Sequence, residues 1–428
     1  MEREPAGYRR NVVLLMGNYI AFGVGLAFFS SNTIVPLFLG RLTDSTPLIG
    51  LIASIFPLGW MLPQLIAARW IAGREDRKPF LVYLSMGAPL VYATLAGFMF
   101  STDPDAPDRL LPIFVAGAVI VGAVDGLIGV PWLDFFGKAV PLHLRGRVMG
   151  WQEAIYALFS VGVGALISHI LGEKGPPFPD NFAWLAAGAS ASFFIALLFF
   201  VPLVEPKTDG PRPRQPAWSE YAPMLRDILR ADRPFVMMTA VRLLGGMSGL
   251  ALPFYVIYAT TELGIPASAA GLYLSVEVVG SAIGSLLLGY LYDRYGSRLI
   301  IRTIATLSLA APALALLLPL AGLSGPALQW AYAAIFLTFG VSGNSPAAVF
   351  IGYTNFIFDH SRPADRPAYL GLSNTLQGPI ALAPVLGGWL VQWTNYQTLF
   401  AVTAAVLVLA SLLSGRLPEP RRAGASAD

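Results

Sequence analysis

The chain lacks cysteine altogether and has only three histidines, His143, His169 and His360. Disulfide frameworks, cysteine-based zinc sites and thiol nucleophiles are excluded, and a histidine-rich metal centre is not expected. There is no HExxH helix and no GxxxxGK[ST] phosphate loop, so neither a zinc-dependent nor a nucleotide-dependent membrane enzyme is expected. No cofactor is anticipated. Charge is scarce too: 12% of the 428 residues are Asp, Glu, Lys or Arg, against about a quarter in soluble domains. So few polar groups cannot cover a soluble protein of this length. The net charge of +3 is small, and the basic residues form no nucleic-acid patch.

What is abundant is apolar sequence. The chain is 55% hydrophobic with a mean hydropathy of +0.63, which excludes a disordered chain. A membrane-spanning helix takes about 20 apolar residues. Twelve such runs can be read, at 11–39, 47–70, 79–100, 110–136, 147–171, 182–203, 234–260, 268–290, 299–320, 327–357, 368–392 and 397–414. The expected fold is an all-α integral membrane protein. The first run is too long for the apolar part of a signal peptide, and no small-residue cleavage site follows it, so it reads as a retained anchor.

Lys and Arg placement sets the expected orientation. With the N-terminus inside, 24 of the 28 basic residues fall on cytoplasmic segments. Arg41, Arg109 and Lys174 face outside, and Arg242 lies within a span. The outer loop from Ser101 to Asp108 is acidic, in keeping with this topology. An even number of spans puts both termini in the cytoplasm and the protein in the cell membrane as a multi-pass chain.

The longest polar stretch divides the spans six and six. The domains expected are 1–203, a linker at 204–233 and 234–428 with a cytoplasmic tail. The linker opens Pro-rich, then spaces Trp218, Tyr221, Leu225, Ile228 and Leu229 as a helix would. It is either a short amphipathic helix on the inner membrane surface or a plain tether. The halves are weakly similar. Arg233 to Leu250 lies on Arg9 to Leu26 without a gap, which pairs Arg242 with Asn18 and Gly249 with Gly25. Trp132-Leu-Asp-Phe135 lies on Tyr353-Thr-Asn-Phe356, so Asp134 matches Asn355; at the same offset Arg145 matches Arg366. Many secondary transporters are built from such repeats, with the site where the repeats meet.

After the eighth run comes Gly289-Tyr-Leu-Tyr-Asp293-Arg294-Tyr-Gly296-Ser-Arg298. This Gly-x-Leu-x-Asp-Arg-x-Gly-x-Arg pattern resembles the loop signature of the major facilitator superfamily. The corresponding loop of the first half, Gly73-Arg-Glu-Asp76-Arg77-Lys78, keeps the Asp-Arg pair but lacks the second glycine. With the 6+6 division and the long middle loop, the resemblance covers essentially the whole chain. It implies twelve transmembrane helices in two pseudo-symmetric six-helix bundles, with spans 1, 4, 7 and 10 around a central cavity and spans 5 and 8 meeting across the halves. It also implies a latch on the inner side made by Asp293 and Arg294, and by Asp76 and Arg77. Gly289 and Gly296 would allow close approach and a tight turn. The eleventh run holds Gly378-Pro379 and Gly387-Gly388, which loosely resembles a helix motif of the family's exporters. Here that motif is absent from the fifth run, and close helix packing accounts for the glycines.

Charges inside the membrane are costly and tend to face a partner or a wet cavity. The candidates are Asp125 and Asp134 in span 4, Glu153 in span 5, Arg242 in span 7 and Glu277 in span 8. At 1.5 Å per residue Arg242 lies roughly 13 Å beyond Arg233, and Asp125 roughly 20 Å from Lys138, near the midplane. Arg242 is either a substrate or carboxylate partner in the cavity, or one half of a structural ion pair. Asp125 is either functional or satisfied by hydroxyls and water, and Glu277 stands with it. A carboxylate in a low-dielectric site gains and loses a proton as its surroundings change, so Asp125 or Glu277 could couple transport to protons. Asn18, Tyr19 and Asn344 are the polar residues expected to touch substrate, and Asn374 and Gln377 could join them.

The reading is a secondary active transporter of a small organic solute working by alternating access, with proton coupling as a hypothesis. The alternative is an uncoupled facilitator, or a lipid or drug exporter of the same fold. The expected partners are a small-molecule substrate, protons and the lipid bilayer, and the chain is expected to be a monomer.

Overall fold

The computed structural model describes residues 8–71, 78–104, 106–140, 142–205, 226–342, 350–362 and 365–420. Among these residues the chain is helical, with no strand. Ten helices are long and apolar enough to cross a membrane: Tyr8–Phe28, Thr46–Pro63, Lys78–Ser101, Leu110–Gly129, Arg147–Ile170, Asp180–Phe200, Arg233–Thr261, Ala269–Tyr295, Ser297–Ala321 and Tyr396–Ser414. They are spans 1–9 and 12. Two shorter or more polar stretches fill the places of spans 10 and 11. Gly325–Ser342 is followed by residues outside those described. Arg366–Gln377 carries Ser373, Asn374, Thr375 and Gln377, which lower its hydropathy; a 3-10 turn at Gly378–Leu382 then leads into Ala383–Trp393. Asp76, Arg77, Asn344 and most of the linker lie outside the described residues, as does the side chain of Asp134.

The run expected as one span at 11–39 is two helices, Tyr8–Phe28 and Ile34–Leu42. Ser30 to Thr33 form the break, where the Asn32 amide donates to the Ser30 hydroxyl at 3.3 Å. Pro36 stands in the first turn of the second helix, where its missing N–H costs nothing. Span 7 is broken too, but earlier: on the gap-free alignment its 3-10 turn lies on Gly23 to Leu26, which are still helical in span 1. Arg233–Gly246 passes through a 3-10 turn at Met247–Leu250 and restarts as Phe254–Thr261, with Pro253 just before the restart. Both halves thus break their first span, at staggered positions of the repeat.

Contacts within the chain group into two units. One comprises Met1–Gly210 with Thr260–Ser275, the other Pro211–Ala259 with Val276–Asp428. Lipid supplies no hydrophobic drive between helices, so close packing must come from small residues. In the first unit, Gly59 of span 2 faces Gly122 and Gly126 of span 4. A Cβ at Gly126 would run into the Gly59 carbonyl oxygen and stand 2.7 Å from that of Trp60. Towards the far end of the same unit, the Phe38 ring packs on Phe114 (5.1 Å) and Phe182 (5.0 Å). In the second unit, Gly280 and Gly284 of span 8 lie on the backbone of Leu337 to Val341 in span 10. Gly387 of span 11 lies against the Leu250 carbonyl, at the break in span 7. The core of this unit joins spans 7, 9, 10 and 12 through Phe235, Val241, Ile301, Phe356 and Ala410.

Candidate transport site

In the first unit three of the sequence candidates come together. The Tyr19 hydroxyl donates to Glu153 Oε1 at 2.5 Å, tying span 1 to span 5. Next to it, Asn18 Nδ2 donates to the Ala196 carbonyl of span 6 at 2.9 Å, and Asn18 Oδ1 accepts from the Trp132 indole of span 4 at 3.0 Å. The Trp132 ring lies 6.2 Å from that of Tyr19 and stacks on Phe136 at 5.5 Å. Four helices thus meet on one polar cluster. Asn18 uses both ends of its amide in it. Asp125 is half-buried in span 4 and is linked by no hydrogen bond to this cluster among the described residues.

The equivalent of Asn18 in the second unit is Arg242. Its Nη1 donates to Ser373 Oγ at 2.7 Å and to Asn374 Oδ1 at 3.1 Å, both on span 11. Its guanidinium lies over the Tyr353 ring, 5.6 Å from the centroid. Among the described residues no carboxylate pairs with it, so the ion-pair alternative finds no partner there. Four residues on, Gly246 lies close to Gln377 of span 11: a Cβ at Gly246 would stand 3.1 Å from Gln377 Oε1. Glu277 is half-buried in span 8, where its backbone carbonyl lies against Gly340 of span 10.

The signature loop after span 8 turns on Gly296, whose φ of +82° and ψ of −177° suit glycine alone. Asp293 and Arg294 are exposed. Arg294 donates to the Tyr290 hydroxyl at 3.3 Å and lies 5.6 Å from the Tyr295 ring centroid. The carboxylate at the start of span 9 belongs to Glu419, which accepts from the Arg298 amide at 3.0 Å. Arg298 in turn donates to the Gly415 carbonyl at 3.0 Å. The first unit repeats the device: Glu205 accepts from the Lys78 amide at the start of span 3, at 2.9 Å. Each glutamate follows the last span of its half and meets the positive end of a helix. Neither residue stands out in the sequence. The signal that could have found them is the pair Leu203-Val-Glu205-Pro206 and Leu417-Pro-Glu419-Pro420.

A second unforeseen cluster gathers on Asp232, just before span 7. Its carboxylate accepts from the Phe235 amide (3.0 Å) and the Tyr369 hydroxyl (2.7 Å), and its two oxygens lie 2.9 and 2.8 Å from His360 Nε2. Burial pushes the Asp232 carboxyl up, but the Phe235 amide, Tyr369 and His360 outweigh it and hold the group below the usual carboxylate range.

A family model for the Major Facilitator Superfamily matches residues 18–380 and 243–427. The chain belongs to the major facilitator superfamily. Among curated relatives, an uncharacterized MFS-type transporter of Yersinia pestis (strain Pestoides F) is 24% identical over 298 residues, 69% of this chain and 70% of that protein. One from Yersinia enterocolitica is 25% identical over 302 residues, with the same coverage. Among solved structures, a D-xylose-proton symporter has a TM-score of 0.69 at 16% identity, covering 96% of this chain and 98% of its own. A bacterial homologue of the iron transporter ferroportin, in its inward-facing state, gives 0.68 at 16%, with the same coverage. At such identities the likeness is one of fold. The chain is a multi-pass transporter of this superfamily, with its twelve-helix fold.

Proposed function

We propose that the chain is a secondary active transporter that carries a small organic solute across the cytoplasmic membrane by alternating access. Its moving parts are the bundles 1–203 and 234–428, joined by the linker 204–233, with both termini in the cytoplasm. One observation carries this reading. The repeated halves have a polar residue at aligned positions of spans 1 and 7, Asn18 and Arg242, and each is tied to neighbouring helices of its own half. A half-buried guanidinium with no carboxylate partner among the described residues is costly in a membrane and is kept for a task. Asp293 and Arg294, with Asp76 and Arg77 in the first half, act as inner latches, and Gly289 and Gly296 shape the loop of the second.

Asp125 and Glu277 are the proposed proton carriers. A D-xylose-proton symporter among the structural relatives is consistent with coupling in this fold. Proteoliposomes with a trapped pH-sensitive dye test the idea. A panel of solutes is added outside, and a co-transported or exchanged proton changes the internal pH. The Asp125→Asn and Glu277→Gln variants are expected to lower that signal at least about tenfold while solute flux down its own gradient persists. Unchanged proton movement in both variants contradicts Asp125 and Glu277 as the carriers, and flux of a solute by the wild type with no proton movement leaves an uncoupled facilitator.

A further inference from the structure

The cluster around Arg242 has a chemical bias: it holds more hydrogen-bond donors than acceptors. A guanidinium offers five N–H groups in a planar fork. Ser373 and Asn374 take up Nη1, and Tyr353 covers one face of the plane. The remaining Nε and Nη2 donors have no acceptor among the described residues. One turn along, the Gln377 amide nitrogen is buried and also lacks a partner there. Ser373 and Asn374 hold the fork by its Nη1, and the Tyr353 ring fixes its tilt, so the open edge is preset.

Arg242 and Asn374 lie side by side within the spans, and polar groups so placed tend to face a water-filled cavity. Asn374 is exposed on span 11 at the level of Arg242, and a bare amide beside a guanidinium is not tolerated by hydrocarbon. The matching position in the first unit is the opposite case. Asn18 is neutral, and both ends of its amide are already used. The duplicated frame thus supplies a closed, neutral position in one half and an open, cationic one in the other. Gene duplication alone would give two similar positions, so the charge at Arg242 answers to something outside the frame.

We infer that the transported solute carries an oxyanion, a carboxylate or a phosphate, which binds the open edge of Arg242 with the Gln377 amide beside it. This rests on the transporter reading above and names its substrate class. Bidentate capture of a planar carboxylate or of two phosphate oxygens is the geometry that a fixed guanidinium fork favours. Charge-assisted bonds of this type discriminate strongly against an uncharged isostere, because the donors are then left desolvated and unmet.

Thermal unfolding of the purified full chain tests the inference. The probes are succinate against succinamide, and glycerol 3-phosphate against glycerol, with inorganic phosphate as the minimal anion. At least one charged probe is expected to raise the unfolding temperature while its uncharged counterpart does not. The carboxylate and phosphate arms then tell which oxyanion is preferred. In Arg242→Gln the midpoint concentration for that shift rises about 10- to 100-fold, the loss expected for charged hydrogen bonds. Gln377→Leu weakens it less. Each shift is read against the variant's own unliganded temperature, so loss of fold stability cancels. Arg230→Gln, an exposed arginine outside the cluster, leaves the shift unchanged. The inference is overturned if no charged probe stabilises the wild type more than its counterpart, or if Arg242→Gln keeps the shift. A neutral probe acting alone overturns the substrate class and leaves the transporter reading standing. Failure of that reading shows up independently, as a chain held in one conformation.

Discussion

Gly126→Val is expected to cost the protein several degrees of unfolding temperature, the largest loss of any single substitution in the seam between spans 2 and 4. The two helices touch backbone to backbone at Gly59, Gly122 and Gly126. A Cβ on Gly126 meets two carbonyl oxygens, and a carbonyl in a helix cannot turn aside as a side-chain tip does. Valine adds two methyls to that clash, so the helices must separate and lose the dispersion contacts that hold them together in lipid. Overpacking of this kind costs on the order of 3 kcal/mol. For a unit of about 200 residues this is a fall of roughly 6–12 °C. Gly162→Val is the control, since nothing lies within 4 Å of the Cβ it would gain. A scan of tryptophan fluorescence against temperature, on protein in detergent or lipid, reads both. Equal behaviour of the two variants contradicts the packing.

Gly296→Ala has the second-largest effect, and two separable causes add. The backbone conformation at this position is open to glycine alone, and forcing another residue into it costs about 1–3 kcal/mol. The new methyl would also run into Glu419 Oε1, on the carboxylate that caps span 9. The clash pushes away a cap worth about 1 kcal/mol. Glu419→Gly alone loses only the cap. The double variant is therefore expected to lie well above the sum of the two single losses, because the clash is gone, yet still below Glu419→Gly by the backbone strain. Strict additivity in unfolding experiments would show that the Gly296 methyl and Glu419 do not meet.

The spans are legible because bilayer thickness fixes how long an apolar run must be, and proline and charge mark where it ends. Thr46, Lys78, Leu110 and Asp180 begin helices within two residues of the boundaries read from hydropathy alone. The break at Ser30 to Thr33 is hidden in the sequence because it is short and flanked by apolar residues, so averaging over a window erases it. Tyr19, Asn18 and Glu153 can be named from their depth, but not paired. Their contacts join residues more than a hundred positions apart, and helix rotation decides them. Ser373 escapes notice because a serine in a span is unremarkable until a guanidinium is found against it. Glu205, Asp232 and Glu419 lie in polar segments, where a carboxylate carries no signal unless the helix end it faces is known.

The most direct test of alternating access uses the absence of cysteine. Ser101 and Ser324 are exposed, one in each unit; Ser101 ends span 3 and Ser324 directly precedes span 10, both at ends expected on the outer side. Replacing both with cysteine gives two unambiguous attachment points for spin labels, and pulsed electron resonance reads the distance between them in lipid nanodiscs. Alternating access predicts two populations of distance whose ratio shifts when the pH or the lipid composition is changed. A single narrow distance that holds across those conditions would contradict it.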